Sequence, residues 1–134
     1  MDWKRIAAIV YVFLTAGVVL FQIALALGAP WGAYAMGGAF PGQFPPSMRV
    51  AALVQAVVLI ALAGVVLARA GVALPRWSRA ARWLVWVVVA FSGLSLLLNL
   101  ITPSAGERMI WAPVGFLLLV CSLVAARGKA SVET

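Results

Sequence analysis

Four apolar runs, each long enough to cross a bilayer, dominate this chain: Ile6–Leu27, Val50–Ala68, Trp83–Ile101 and Met109–Ala126. A helix rises 1.5 Å per residue, so roughly 20 apolar residues cross about 30 Å of hydrocarbon. The expected fold is all-α, a four-transmembrane-helix bundle making one integral membrane domain over residues 1–134. Composition agrees. Only 10% of residues are charged and 66% are hydrophobic, whereas soluble chains carry about 25% charged residues to wet their surface. Lipid must cover what charge does not.

Placement of the basic residues sets an expected orientation. Lys4 and Arg5 precede the first run, Arg69, Arg76, Arg79 and Arg82 fill the second connection, and Arg127 and Lys129 follow the last run. The first and third connections hold only Arg49 and Arg108. Cytoplasmic loops carry the Lys/Arg excess, so both termini and the middle connection are expected in the cytoplasm, with the protein in the inner (plasma) membrane. The net charge of +7 therefore reads as topology, and no nucleic-acid partner is expected. The first run is longer than the roughly 7–15-residue apolar region of a signal peptide and is expected to stay as a helix.

Tryptophans mark the boundaries, as indole prefers the headgroup level. Trp3, Trp77 and Trp83 flank the inner ends and Trp31 and Trp111 the outer ones, while Trp86 is expected to pack against a neighbour. The outer connection between the first two helices, 28–49, holds five glycines and four prolines, which bar a regular helix. Its Trp31, Tyr34, Phe40 and Phe44 are too apolar for a free linker, so it is expected to fold back as a structural cap or as a lid. In the middle connection Arg76, Arg79 and Arg82 recur every three residues and are expected to meet anionic lipid head groups. The tail 128–134 is short, polar and expected to fray.

Small residues at spacing four (Ala52 and Ala56, Gly64 and Ala68, Ala24 and Gly28), with Gly17 and Gly93 mid-helix, mark places for close helix approach. A faint repeat of helical hairpins sets Thr15, Ala16 and Gln22 against Ser92, Gly93 and Asn99.

Chemistry is limited by what the chain lacks. Histidine is absent and cysteine occurs once, at Cys121, expected to be an inert core residue. Asp2, Glu107 and Glu133 are the only acids. No carboxylate pair, metal cluster or nucleophile–base couple can be assembled, so neither catalysis, a metal nor a cofactor is expected. The strongly polar residues within the spans, Gln22, Gln55 and Asn99, all fall toward the outer side on three different helices, with Arg49, Glu107 and Arg108 above them. Two arrangements are open. The amides bond to one another or to freed carbonyls, with Ser92 and Ser95 adding local bonds and Arg49 pairing with Glu107. Alternatively they line an outward pocket walled by Trp31, Tyr34, Phe44 and Trp111.

The segments Gly28-Ala29-Pro30-Trp31-Gly32, Gly37-Gly38, Pro45-Pro46 and Arg49, with Asn99-Leu100-Ile101-Thr102-Pro103-Ser104 before Glu107, resemble small uncharacterised four-helix membrane proteins of high-GC, actinobacterial-type bacteria. That resemblance implies the fold and no activity. The charge pattern of fluoride channels, the cysteine pair of quinone reductases and the deep glutamate of small multidrug exporters are all missing. The expected function is non-enzymatic: an outward polar-aromatic site formed by Gln22, Trp31, Tyr34, Phe44, Arg49, Gln55, Asn99, Glu107 and Trp111. It would bind a lipophilic ligand or dock a larger membrane partner or a second copy. A small oligomeric transporter or channel is the alternative.

Overall fold

The computed structural model describes residues 2–127; Lys129, Glu133 and the rest of the tail 128–134 lie outside the described residues. Its long elements are α1 (Trp3–Ala26), α2 (Pro46–Arg69), α3 (Ser78–Ile101) and α4 (Ala105–Arg127), with no strand among the described residues. All four are long and apolar enough to cross a membrane. The architecture is that of a multipass helical membrane protein.

Every helix begins before its apolar run, because local caps rather than hydropathy set the first turn. The Asp2 carboxylate accepts from the Lys4 and Arg5 amides at 3.1 and 3.3 Å, starting α1 at Trp3. Pro46 occupies the first turn of α2, where its missing N–H costs nothing. A 3-10 turn at Pro75–Trp77 leads into α3. The Ser104 hydroxyl accepts from the Glu107 amide at 3.1 Å and caps α4. Two C-termini share one solution. Ala29 donates to Ala24 O and Gly28 to Leu25 O, while Val72 donates to Leu67 O and Gly71 to Ala68 O. These are Schellman closures, and each needs the positive φ that Gly28 (104°) and Gly71 (73°) supply.

The helices stand around a square, α1 against α2 and α4, and α3 against α4 and α2, with α1 and α3 on a diagonal. Among neighbouring helices, contact is most extensive within the α1–α2 and α3–α4 hairpins and least between α2 and α3. At one end the square is closed by small side chains: Ala7 and Ala8, Ala63 and Val66, Ala81 and Val85, and Ala125 and Ala126 form one buried cluster. Since this cluster includes residues near the start of α1 and the end of α4, those two helix ends lie at the same end of the bundle. Cys121 is buried within it. Arg69 adds a tie there, donating from Nη2 to Ala126 O at 3.0 Å.

Outward faces are strongly apolar; Phe13 is 78% exposed and Phe116 56%. Hydrocarbon, rather than water, is the environment such faces fit. Trp86 belongs to this outer surface, half exposed, and not to a helix contact. The reason is register, because α3 turns Ala81, Val85, Val88 and Ser92 inward. Among the small residues, Ala52, Ala56, Gly64 and Ala68 are buried as expected for close packing, whereas a Cβ on Gly17 would meet nothing within 4 Å. A close approach of α3 and α4 falls instead at Gly115, where a Cβ would sit 3.4 Å from Leu96 Cα and leave no room for a larger side chain.

That crossing yields a ranked prediction. Gly115→Val forces α3 and α4 apart and should cost about 1–3 kcal/mol. Gly17→Ala should be neutral or stabilising by up to about 1 kcal/mol. Thermal unfolding in mild detergent checks the order; equal midpoints for the two variants would contradict it.

Candidate ligand cavity

At the end of the bundle opposite the start of α1 and the end of α4, the helices leave a space between them. A cavity of about 640 Å³ opens there, running from Tyr11 in the bundle interior up to the loop residues Tyr34–Gly37. Its volume lies within the range of about 300–1,000 Å³ typical of small-molecule sites. Each helix contributes one stripe at helical spacing. These are Val18 and Gln22 from α1, Ala52, Gln55 and Leu59 from α2, Ser92, Ser95 and Asn99 from α3, and Trp111, Gly115 and Leu118 from α4.

Three amides therefore reach the same cavity from three helices, but they do not bond to one another. Asn99 donates from Nδ2 to Ser95 O of its own helix at 2.9 Å. Gln22 is about nine-tenths buried, and no hydrogen bond links it to another described residue. Gln55 is likewise unbonded, and it is exposed at the cavity edge. Because α2 begins at Pro46, Gln55 lies about 13 Å along its helix, deeper than the run of hydropathy suggests. At the floor, Tyr11 is buried beside Ser92 and Thr15.

The loop 28–45 forms the roof. It contains two 3-10 turns, Gly32–Tyr34 and Met36–Gly38, and is fastened to the α3–α4 turn and the first turns of α4 by three hydrogen bonds. Ser104 donates through its hydroxyl to Ala33 O at 2.7 Å. The Gly37 amide donates to Glu107 Oε2 at 3.0 Å, and Trp111 Nε1 donates to Tyr34 O at 2.9 Å. Ser104-x-x-Glu107 has the form of a capping box. Here, though, the Ser104 amide donates to Thr102 Oγ1, which leaves the carboxylate for the loop. The Tyr34 ring lies against Gly106, where any Cβ would collide with it. Gly32 is equally constrained, because a Cβ there would strike the Phe40 carbonyl.

Of the residues expected to form a site, Gln22, Tyr34, Phe44, Gln55, Asn99, Glu107 and Trp111 line this cavity, while Trp31 and Arg49 do not. Trp31 stacks at 6.3 Å on the outer side of Phe21, which itself packs at 4.7 Å on Trp111. The Phe21 ring takes the wall position assigned to Trp31. Arg49 forms no ion pair with Glu107. Its Nε donates to Phe44 O at 2.9 Å and its guanidinium lies against Gly28, at the C-terminal end of α1. A cation at a helix C-terminus meets carbonyls left without intrahelical partners, which explains the preference. Arg108 does the same for α3, donating to Thr102 O at 2.7 Å.

Sequence reasoning did not place Tyr11, Phe21, Met36 or Phe91 at this site. Stepping three, four or seven residues from each amide would have found Ser95, Val18 and Leu59, but Met36 depends on the loop path. Its φ of 52° is left-handed, which a side-chain-bearing residue rarely adopts. Arg76, Arg79 and Arg82 are exposed at the far end of the bundle, and Arg82 covers the Trp83 ring at 5.8 Å. No group of His, Cys, Asp and Glu among the described residues could hold a metal. Comparison with known proteins finds no matching family, no matching curated protein and no matching solved structure.

The roof hydrogen bonds give a second prediction. Ser104→Ala, or Trp111→Phe, should remove one tie worth about 0.5–1.5 kcal/mol. Amide exchange over 32–38 should then accelerate in both variants, and in Ser104→Ala the first turn of α4 should lose protection too, since the same hydroxyl caps it. Arg79→Ala should leave roof exchange as it is. Unaltered exchange in both roof variants would show the ties carry no weight.

Proposed function

We propose that this chain is a non-enzymatic membrane protein whose cavity binds a lipophilic molecule with a small polar head. One observation carries the reading: Gln22, mostly buried and unbonded, shares a cavity with Gln55 and Asn99 from two other helices. An amide placed in an apolar bundle without a partner is costly. A ligand group that hydrogen-bonds there removes that cost, and the apolar walls from Leu59, Phe91 and Leu118 accept its hydrocarbon part.

Glu107 is the one ionisable carboxylate on the lining, and it is engaged by the Gly37 amide. An uncharged head suits such a lining better than an anionic one. In this reading the roofed end faces outward, and the termini with the Arg76–Arg82 segment face the cytoplasm, following the Lys/Arg excess. There the exposed arginines meet anionic lipid heads, each contributing about 1 kcal/mol. The protein then resides in the plasma membrane, and any partner, a second copy included, meets it through its apolar outer faces.

Gln55→Leu combined with Asn99→Leu should abolish retention of a co-purifying lipophile in native mass spectrometry from mild detergent, with the protein still folded. Undiminished retention in that double variant would eliminate the cavity as the site. A liposome flux assay separates this reading from a transporter. Binding predicts no protein-dependent solute movement, and sustained movement would favour transport.

A further inference from the structure

We propose that the cavity is filled sideways from the bilayer, through a slit between α2 and α3, by a single-chain lipid bearing a hydroxyl head. This deepens the proposed function and rests on it.

Among the four helices, exposure of the lining residues is polarised; in the roof, Tyr34, Met36 and Pro103 are exposed as well. On α1 and α4 no lining residue is exposed: Gln22 and Gly115 are buried, and Val18, Phe21, Trp111, Val114 and Leu118 are at most partly accessible. On α2 and α3 the lining includes exposed residues, namely Ala51, Gln55, Leu98 and Ile101. The back of the cavity is thus sealed by the α1–α4 contact and by the Trp31–Phe21–Trp111 stack. Its top is held down by the three roof hydrogen bonds. Toward the floor, Leu59 of α2 is buried in a cluster against which Leu62 and Phe91 pack. The open side therefore falls between α2 and α3, the two helices whose lining is exposed and whose contact is the least extensive between neighbours.

The slit lies within two membrane-spanning helices, so what faces it is acyl chain. Residues at its edges fit that neighbour, Leu98 and Ile101 being apolar and more than half exposed. One amide, Gln55, stands at the threshold, while Asn99 and Gln22 lie further in. They form a graded path along which a polar head keeps finding partners as it leaves the headgroup layer. Amides both donate and accept, and the remaining polar lining is hydroxyl (Tyr11, Ser92, Ser95, Thr102) plus the acceptor Glu107. A hydroxyl head, itself donor and acceptor, matches this set without leaving a buried charge. The volume of about 640 Å³ is of drug-molecule size and suits one chain with a compact head rather than a whole two-chain phospholipid.

The test uses a 1-monoacylglycerol with a terminal diazirine on its acyl chain, added to proteoliposomes holding the full protein. After photolysis, peptide mapping locates the adducts. Wild type should label interior positions such as Leu59, Phe91 and Leu118. Ala51→Trp with Leu98→Trp places two indoles across the slit, on residues already facing lipid, so the fold is kept and interior labelling is lost. Val57→Trp, on an exposed face away from the cavity, should label as wild type does. Persistent interior labelling in the double tryptophan variant overturns lateral access while leaving binding in the cavity intact. Absence of interior labelling in wild type, with adducts only on outer faces, overturns both readings. Exclusion of the probe from wild type by another protein chain seated in the slit overturns the lipid in favour of a docking partner.

Discussion

Hydrocarbon offers no hydrogen bonds, so every polar group carried into the membrane must be answered by the chain itself. The last carbonyls of each helix pose that demand most acutely, as no further turn exists to satisfy them. The ends of α1 and α2 answer with the Gly28 and Gly71 turns, and arginine serves at the other two. Arg108 bonds Thr102 O after α3, and Arg69 of α2 bonds Ala126 O in the last turn of α4. Arg49, beside the end of α1, bonds Phe44 O, and Glu107 accepts from a loop amide.

A bundle fixed at its ends in this way need not be packed uniformly. Alanine and valine at the end holding the start of α1 and the end of α4 let four backbones approach closely. At the other end the inward positions of three helices are amides and serines, and the space between them stays open beneath a bonded roof. Polar side chains inside a membrane bundle commonly act as interhelical glue, averaging about 0.6 kcal/mol per contact. Gln22 and Gln55 do not serve that purpose here, since neither bonds across the bundle. Their accessibility to a shared cavity makes them candidates for recognition rather than for assembly, and the neutral character of the lining narrows what can be recognised.

Much of the architecture was legible in the chain. Run lengths mark four spans because bilayer thickness dictates them. The clustering of Gln22, Gln55 and Asn99 could be read from helix direction alone. What could not be read depends on geometry finer than helical register. Hydropathy reports where hydrocarbon lies, not where a helix starts, so the starts at Trp3 and Pro46, set by Asp2 and by proline, fall outside the apolar runs. Opposite charges at one level suggested an Arg49–Glu107 pair, yet helix C-termini and a loop amide compete for those same groups and win. Trp31 has the composition of a wall residue, but Phe21 stands between it and the cavity. The roof path rests on contacts spanning some seventy residues, such as Ser104 to Ala33, which no local pattern encodes.

The claim on which the account stands is that lipid, rather than water or protein, occupies the space between the amides. Intermolecular nuclear Overhauser effects in nanodiscs address it directly, since the side-chain amide protons of Gln22, Gln55 and Asn99 report what lies beside them. The account predicts contacts from these protons to acyl-chain methylenes of bilayer or bound lipid, with Gln22 included. Cross-peaks to water alone at all three amides, with none to methylenes, would contradict it.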